Sequence, residues 1–130
     1  MFARIQLFVI IFCLCFVQPT RAQDNSNVIL SDIQQANIND LSKYFNKRID
    51  ITINQNENNY SIEQAAIILK NFLSGLTGRE VVLLQKGKSE DNTQFIIGSL
   101  KSKTAKYKTY ILLKNTTKGY LIHDIRFEKE

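Results

Sequence analysis

Very few residues of this chain could perform acid–base chemistry. His123 is the only histidine, and an imidazole held beside a carboxylate can act as a general base. Its neighbour Asp124 should point to the opposite face of a strand, because successive side chains alternate, so we expect no dyad between them. His123 is thus the one catalytic candidate, and a hydrogen-bonded histidine in the core or at its rim is the simpler interpretation.

Two tyrosines could line a pocket together with His123. Tyr107 lies in a predicted strand, and Tyr60 immediately precedes a predicted helix cap, where packing against the helix start is its more common role. The chain shows no Ser-His-Asp order, HExxH pattern, Walker loop or dinucleotide-binding glycine pattern. With one histidine and no clustered carboxylates, we expect no metal and no cofactor.

Positive charge is concentrated in one part of the chain. The formal net charge is +5, and residues 86–118 carry eight lysines against two acidic residues. Part of this charge could form a stripe that attracts an anionic glycan or lipid head groups, whereas scarce Arg and stacking aromatics make nucleic acid an unexpected partner. The alternative is that these lysines protect hairpin edges. The stripe candidates are Lys101, Lys103, Lys106 and Lys108.

The first 22 residues have the pattern of a removable export signal. A basic start at Arg4 precedes an apolar run over 5–17, and Thr20-Arg21-Ala22 has small side chains at the cleavage positions. A membrane span needs about 20 apolar residues, so we expect cleavage after Ala22 and no transmembrane anchor. Cleavage removes both cysteines, which excludes thiol catalysis and cysteine–zinc sites. The remaining single domain, 23–130, would be periplasmic or extracellular.

The elements that must position these residues are helices followed by strands. Helical spacing predicts a first helix up to Ala36 and a short second helix, and alternation predicts a strand over 49–53, followed by a polar loop over 55–59. Ser61 and Gln64 have capping-box spacing at the start of a helix that should end at a left-handed Gly75. That helix is apolar around most of its girth, so we expect it to be deeply buried.

After Gly78 the pattern changes to strands. Segments 79–86, 93–101, 105–114 and 120–127 are rich in β-branched and aromatic residues and are separated by short polar connections. This predicts an antiparallel meander. The fold class is therefore α+β, with N-terminal helices packed on one face of a curved, mostly antiparallel sheet.

Both faces of the predicted sheet are partly apolar. Alternation places His123 on the inward face with Leu121, Ile125 and Phe127, opposite Tyr120 and Ile122. A half-solvated sheet would show a polar outer face, so we expect a homodimer through the outer sheet face. Scattered exposed apolar residues are the alternative. In the middle strands, alternation places Phe95 and Ile97 opposite Ile96 and Leu100, and Tyr110 and Leu112 opposite Tyr107, Ile111 and Leu113.

Several segments resemble a known family. They are Leu41-Ser42-Lys43-Tyr44-Phe45-Asn46, Tyr60-Ser61, Tyr110-Ile111-Leu112-Leu113-Lys114, and Tyr120-Leu121-Ile122 with Arg126-Phe127-Glu128. With the order of elements, they resemble the secreted bacterial family called domain of unknown function 4783, in the nuclear transport factor 2-like superfamily.

The resemblance implies a curved sheet wrapped around helices, often with a pocket between them and a dimer through the outer sheet face. It implies no activity, because fold alone does not determine function. We therefore expect an exported non-catalytic domain that binds a small or anionic ligand or a protein partner. The alternative is a small isomerase- or hydratase-type enzyme that uses His123 in the pocket.

Overall fold

The helices come first and a meander follows, as the sequence predicts. The computed structural model describes residues 24–130, so the predicted export signal, residues 1–22, lies outside the described residues. The elements are α1 (Ser26–Gln35), α2 (Ile38–Leu41), a 3-10 turn (Ser42–Tyr44), β1 (Phe45–Ile53), β2 (Asn56–Ser61), α3 (Ile62–Ser74), β3 (Glu80–Lys88), β4 (Thr93–Lys101), β5 (Lys106–Thr116) and β6 (Gly119–Lys129). Within 24–130, no helix is long and apolar enough to cross a membrane.

All six strands form one sheet in the order β2-β1-β6-β5-β4-β3. The pairs β3–β4, β4–β5, β5–β6 and β1–β2 are antiparallel, and β1 pairs with β6 in parallel. The predicted α+β class with a mostly antiparallel sheet is therefore confirmed. The parallel pair places the starts of β1 and β6 at the same end of the sheet.

The hydrophobic core lies between this sheet and the helices. Ile33 of α1 and Leu73 of α3 meet Ile111 and Phe127 of the sheet, and all four are at most 1% exposed. Burying a side chain of this size stabilises the folded state by roughly 1.5–3 kcal/mol. The face of the sheet that carries Ile111 and Phe127 is called the inner face below, and the opposite face the outer face.

Helix α3 is less deeply buried than its composition predicts. The capping box is confirmed: the Gln64 backbone N–H donates to Ser61 Oγ at 3.3 Å, and the Ser61 N–H donates to the Gln64 side chain at 3.2 Å. However, Ile67 is 59% exposed, because only one flank of α3 packs against the sheet. The prediction of a left-handed Gly75 is also wrong: Gly75 has φ −75°, and the glycine with a positive φ, 68°, is Gly78.

The prediction of a polar loop over 55–59 is wrong. Residues 56–61 form strand β2, which pairs with β1 through a two-residue turn. Asn54 and Gln55 occupy that turn with φ of 49° and 73°, the left-handed values that a tight hairpin requires. An edge strand exposed on its surfaces needs no apolar alternation, so its composition resembles that of a loop.

Strand β6 contains a bulge that overturns its predicted alternation. Leu112 pairs with Asp124, but the next residue, Leu113, pairs with Ile122. Ile122 and Ile125 are both fully buried, so the two residues between them turn away from the core. The prediction that His123 faces inward is therefore wrong: the bulge turns His123 and Asp124 towards the outer face.

Candidate functional site

The outer face of the sheet carries a two-strand apolar stripe, as predicted. Phe95 and Ile97 of β4 lie beside Leu112 and Tyr110 of β5, because Phe95 pairs with Leu112 and Ile97 with Tyr110. All four side chains are half-buried, although none of the helices within residues 24–130 covers them. They line a groove of about 450 Å³. We call these four residues the outer stripe.

A glycine in the neighbouring strand β3 makes room for the Phe95 ring of the outer stripe. Gly87 pairs with Phe95, and a Cβ atom built on Gly87 would lie 2.6 Å from the Phe95 ring. The ring therefore rests directly over the β3 backbone. This close approach explains a glycine inside a strand, where it otherwise weakens the ladder.

One wall of the groove is polar. Asp124, Arg126 and Glu128 project from β6, and Arg126 Nη2 lies 3.7 Å from Asp124 Oδ2. Asp124 Oδ1 is buried without a hydrogen-bond partner among the described residues. Burial raises the pKa of Asp124, the Arg126 guanidinium opposes this, and the nearby carboxylate of Asp50 adds to the rise.

Two of the predicted stripe lysines, Lys106 and Lys108, lie beside or opposite acidic residues. Lys106 Nζ is 3.2 Å from Glu130 Oε2, and Lys108, whose Nζ is 5.8 Å from the Tyr110 ring centroid, pairs across the sheet with Glu128. Of these two lysines, Lys106 therefore has an ion-pair partner, and Lys108 has an acidic neighbour on the next strand.

The other two stripe candidates, Lys101 and Lys103, do not lie on one strand. Lys101 ends β4 opposite Glu80. Lys103 lies in the β4–β5 turn, where its N–H donates to Thr77 O at 3.0 Å and its side chain covers Gly78. The four lysines are therefore not one continuous stripe.

The predicted pocket residues are not brought together at a cavity. Tyr107 is 6% exposed in the core, where the Phe72 ring lies 5.3 Å from it and 4.7 Å from the Phe127 ring. Phe72 thus fills the space between helix and sheet where the resemblance implied a pocket. Tyr60 pairs with Ile49 in the sheet and packs against the core.

His123 stands apart from both tyrosines. It is half-buried, and its Nδ1 atom is buried without a hydrogen-bond partner in the described part of the chain. It does not line the outer groove. The bulge places it next to Asp124, whose pKa it lowers slightly against the larger effect of burial. The three-residue spacing of the buried Ile122 and Ile125 is the sequence signal that could have revealed this bulge.

Across residues 24–130 no group of three or more His, Cys, Asp or Glu side chains is arranged to hold a metal ion. The outer face presents apolar area, aromatic rings and a few charged side chains. Such a surface can bind, and its composition matches the centre and rim of protein interfaces.

The comparison with protein families agrees with the fold. The model of the family described as "Domain of unknown function (DUF4783)" matches residues 26–128. The chain belongs to the DUF4783 family. The search of curated proteins found no match to this chain.

Solved structures show the same fold at low identity. A DUF4783 protein from Bacteroides uniformis is 20% identical, with a TM-score of 0.76 over 82% of this chain and 98% of that one. One from Bacteroides ovatus is also 20% identical, with a TM-score of 0.73 over 84% and 96%. A nuclear transport factor 2-like protein of unknown function from Cytophaga hutchinsonii is 11% identical, with a TM-score of 0.59 over 86% and 94%. This DUF4783 protein therefore has a nuclear transport factor 2-like fold.

Proposed function

We propose that this DUF4783 protein is an exported, non-catalytic binding domain that works as a homodimer joined through the outer face of its sheet. The observation that carries the dimer is the outer stripe: four large apolar side chains in a shallow groove, on a face that none of the described helices covers. A sheet face in water normally carries polar residues. A contiguous apolar patch with a polar surround is typical of a contact surface.

The stripe is suited to a second copy of the same chain. A two-fold axis parallel to the strands and between β4 and β5 would lay Phe95 and Ile97 of one copy on Leu112 and Tyr110 of the other. Such an isologous contact needs a surface that complements itself, and two apolar strands side by side meet this requirement.

The surrounding charges fit the rim of such an interface. Lys108, Arg126 and Glu128 border the outer stripe and would stay near water at its edge, where charged residues cost little. The six strands span roughly 25 Å by 30 Å, so covering this face would bury on the order of 800 Å² per copy, the size of a standard stable interface.

The experiment is the mass of the mature protein in solution, measured by light scattering across micromolar concentrations. We expect a dimer, and Leu112→Asp should convert it to a folded monomer because it buries a charge in an apolar contact. The matched control is Ile67→Asp, which makes the same chemical change at an exposed apolar position on α3 and should leave the dimer intact. A wild-type monomer, or dissociation by both variants, would contradict the proposal.

Export is proposed from the sequence of residues 1–22. The test is the intact mass of the protein recovered from its native cells. We expect a chain that begins at Gln23, and a mass that retains residues 1–22 would exclude cleavage.

A further inference from the structure

A second surface lies at the end of the sheet where β1 and β6 begin. Because these strands are parallel and Phe45 pairs with Ile122, the 3-10 turn before β1 comes to lie beside the β5–β6 hairpin turn. Two neighbouring grooves of about 410 and 480 Å³ run along this junction. They share Lys43, Lys118 and Leu121, so together they form one extended depression. We call this depression the rim site.

The rim site is positively charged. Lys43 and Lys118 line both grooves and Lys47 lines one of them, and among the described residues no Asp or Glu lines either groove. Within residues 24–130, neither Lys47 nor Lys118 has a carboxylate oxygen within 4.0 Å. Lys43 lies 3.5 Å from Asp40 with 75% of its side chain exposed, a pair that neutralises little. This contrasts with Lys106, which is held by Glu130.

The remaining lining combines aromatic rings with uncharged hydrogen-bonding groups. Tyr44 and Tyr120 line the first groove, and Lys88 Nζ lies 5.9 Å from the Tyr120 ring centroid, which adds another positive charge nearby. Hydroxyl and amide side chains complete the lining: Asn25, Asn115, Ser42, Asn46, Thr116 and Thr117.

The hairpin turn in the rim site is already ordered. Thr116 Oγ1 donates to Gly119 O at 2.8 Å and accepts from the Lys118 N–H at 3.1 Å. Gly119 has φ 97°, a conformation that glycine adopts without strain. A turn fixed in this way holds Lys118 between the grooves before any ligand arrives, so less ordering entropy is lost on binding.

We propose that the rim site binds an anionic carbohydrate, that is, a sugar chain bearing carboxylate or sulfate groups. The lysines would pair with the anionic groups, the amides and hydroxyls would bind sugar hydroxyls, and the tyrosine rings offer flat apolar surfaces. A single phosphate would use one lysine cluster and leave the length of the two grooves empty. Nucleic acid is less suited, because among the described residues no arginine lines the site and its three aromatic residues, Tyr44, Tyr120 and the buried Phe45, offer few stacking surfaces.

The test measures binding by calorimetry at low salt, with oligogalacturonate and dextran sulfate as anionic probes and neutral dextran as the uncharged one. We expect an anionic probe to bind, neutral dextran not to bind, and the affinity to fall as salt is added. The double variant Lys47→Glu/Lys118→Glu should weaken binding at least about tenfold, a loss of about 1.4 kcal/mol. The matched control, Lys106→Glu/Lys108→Glu, makes the same charge change on the outer face and should change affinity less than about twofold.

Further arms separate the possible sources of negative charge. Tyr120→Leu keeps every charge but removes a ring, so it should weaken sugar binding, while inorganic phosphate and single-stranded DNA should compete poorly for the site. Equal loss in both charge variants, equal competition by DNA, or no binding of either anionic sugar would overturn the proposal. Circular dichroism melting of each variant shows that loss of binding is not loss of the fold. Binding of a short oligogalacturonate does not depend on dimerisation, because each copy contains a complete rim site.

Discussion

The buried carboxyl of Asp32 provides the sharpest test of the energetics of this fold. Asp32 lies on α1 and is 5% exposed, and its Oδ2 atom is buried without a partner in the described part of the chain. Burial raises its pKa from 3.8 to about 6, the neighbouring carboxyl of Asp40 contributes to the rise, and Lys43 opposes it. A charged Asp32 therefore costs folding free energy at neutral pH.

The sign and size of this cost follow from linkage. The folded-state pKa lies above the unfolded value, so the folded protein binds the proton more tightly. The cost is absent below about pH 3.8, grows as the pH rises through the interval between 3.8 and about 6, and is complete above it. At 1.36 kcal/mol per pKa unit, the shift corresponds to about 3 kcal/mol as an upper value.

We expect Asp32→Asn to raise the free energy of unfolding by about 1–3 kcal/mol at pH 7.5 and by nearly nothing at pH 3.5. The asparagine amide keeps the shape and can donate to Asp40, as the protonated acid does. The assay is urea unfolding of the mature protein at a series of pH values. Asp40→Asn removes the neighbouring charge but leaves Asp32 buried, so it should raise the free energy of unfolding at pH 7.5 by less than Asp32→Asn does. A pH-independent loss of stability in Asp32→Asn would refute this reasoning.

Three other substitutions test separate features. Asp24→Asn should lower the free energy of unfolding by up to about 1 kcal/mol at pH 7 and by only a small part of that at pH 2. A hydrogen bond from Lys86 lowers the pKa of Asp24 from 3.8 to about 2, so the stabilisation is lost as the pH falls through the folded-state pKa, and water screens this half-exposed pair. Urea unfolding at both pH values measures this, and an equal effect at both would contradict it. Leu73→Ala should cost about 2–5 kcal/mol by the same assay, while Ile67→Ala on the exposed flank of the same helix should cost less than about 0.5 kcal/mol. Gln55→Gly should stabilise by about 1 kcal/mol, since it removes a side chain from a residue with φ 73°, and an unchanged melting temperature would count against strain at that turn.

Much of the fold is encoded in local patterns, which is why it could be predicted from the sequence. Buried and less buried residues alternate strictly over 95–101 in β4 and over 106–114 in β5, and the capping box requires only residues 61 and 64. These signals depend on neighbours a few positions apart, so they survive without knowledge of the tertiary structure. The outer stripe follows from the same alternation.

The features that could not be predicted depend on pairing between distant segments. The bulge at His123 arises where Leu113 realigns with Ile122, a choice made by the packing of both strands. Because a shift of one residue reverses which face a side chain occupies, a correct strand prediction still gave His123 the wrong side.

The position of the basic site shows the same limitation. The sequence shows a concentration of lysines over 86–118, but it does not show that Glu130 forms an ion pair with Lys106. Nor does it show that Lys43 and Lys47, far earlier in the chain, lie next to Lys118. The parallel pairing of β1 with β6 creates this neighbourhood, and parallel pairing joins segments that are remote in sequence.

The two proposals combine into one further prediction. A dimer joined through the outer stripe would leave the rim site of each copy open, because the rim site lies at the end of the sheet rather than on its outer face. Two sites on one assembly bind a long polymer more tightly than either binds alone, because the second contact is intramolecular. Leu112→Asp should therefore weaken binding to long dextran sulfate by about tenfold or more, while leaving the affinity for a short oligogalacturonate unchanged. If both affinities fell equally, the substitution would have damaged the rim site itself, and the two surfaces would not be independent.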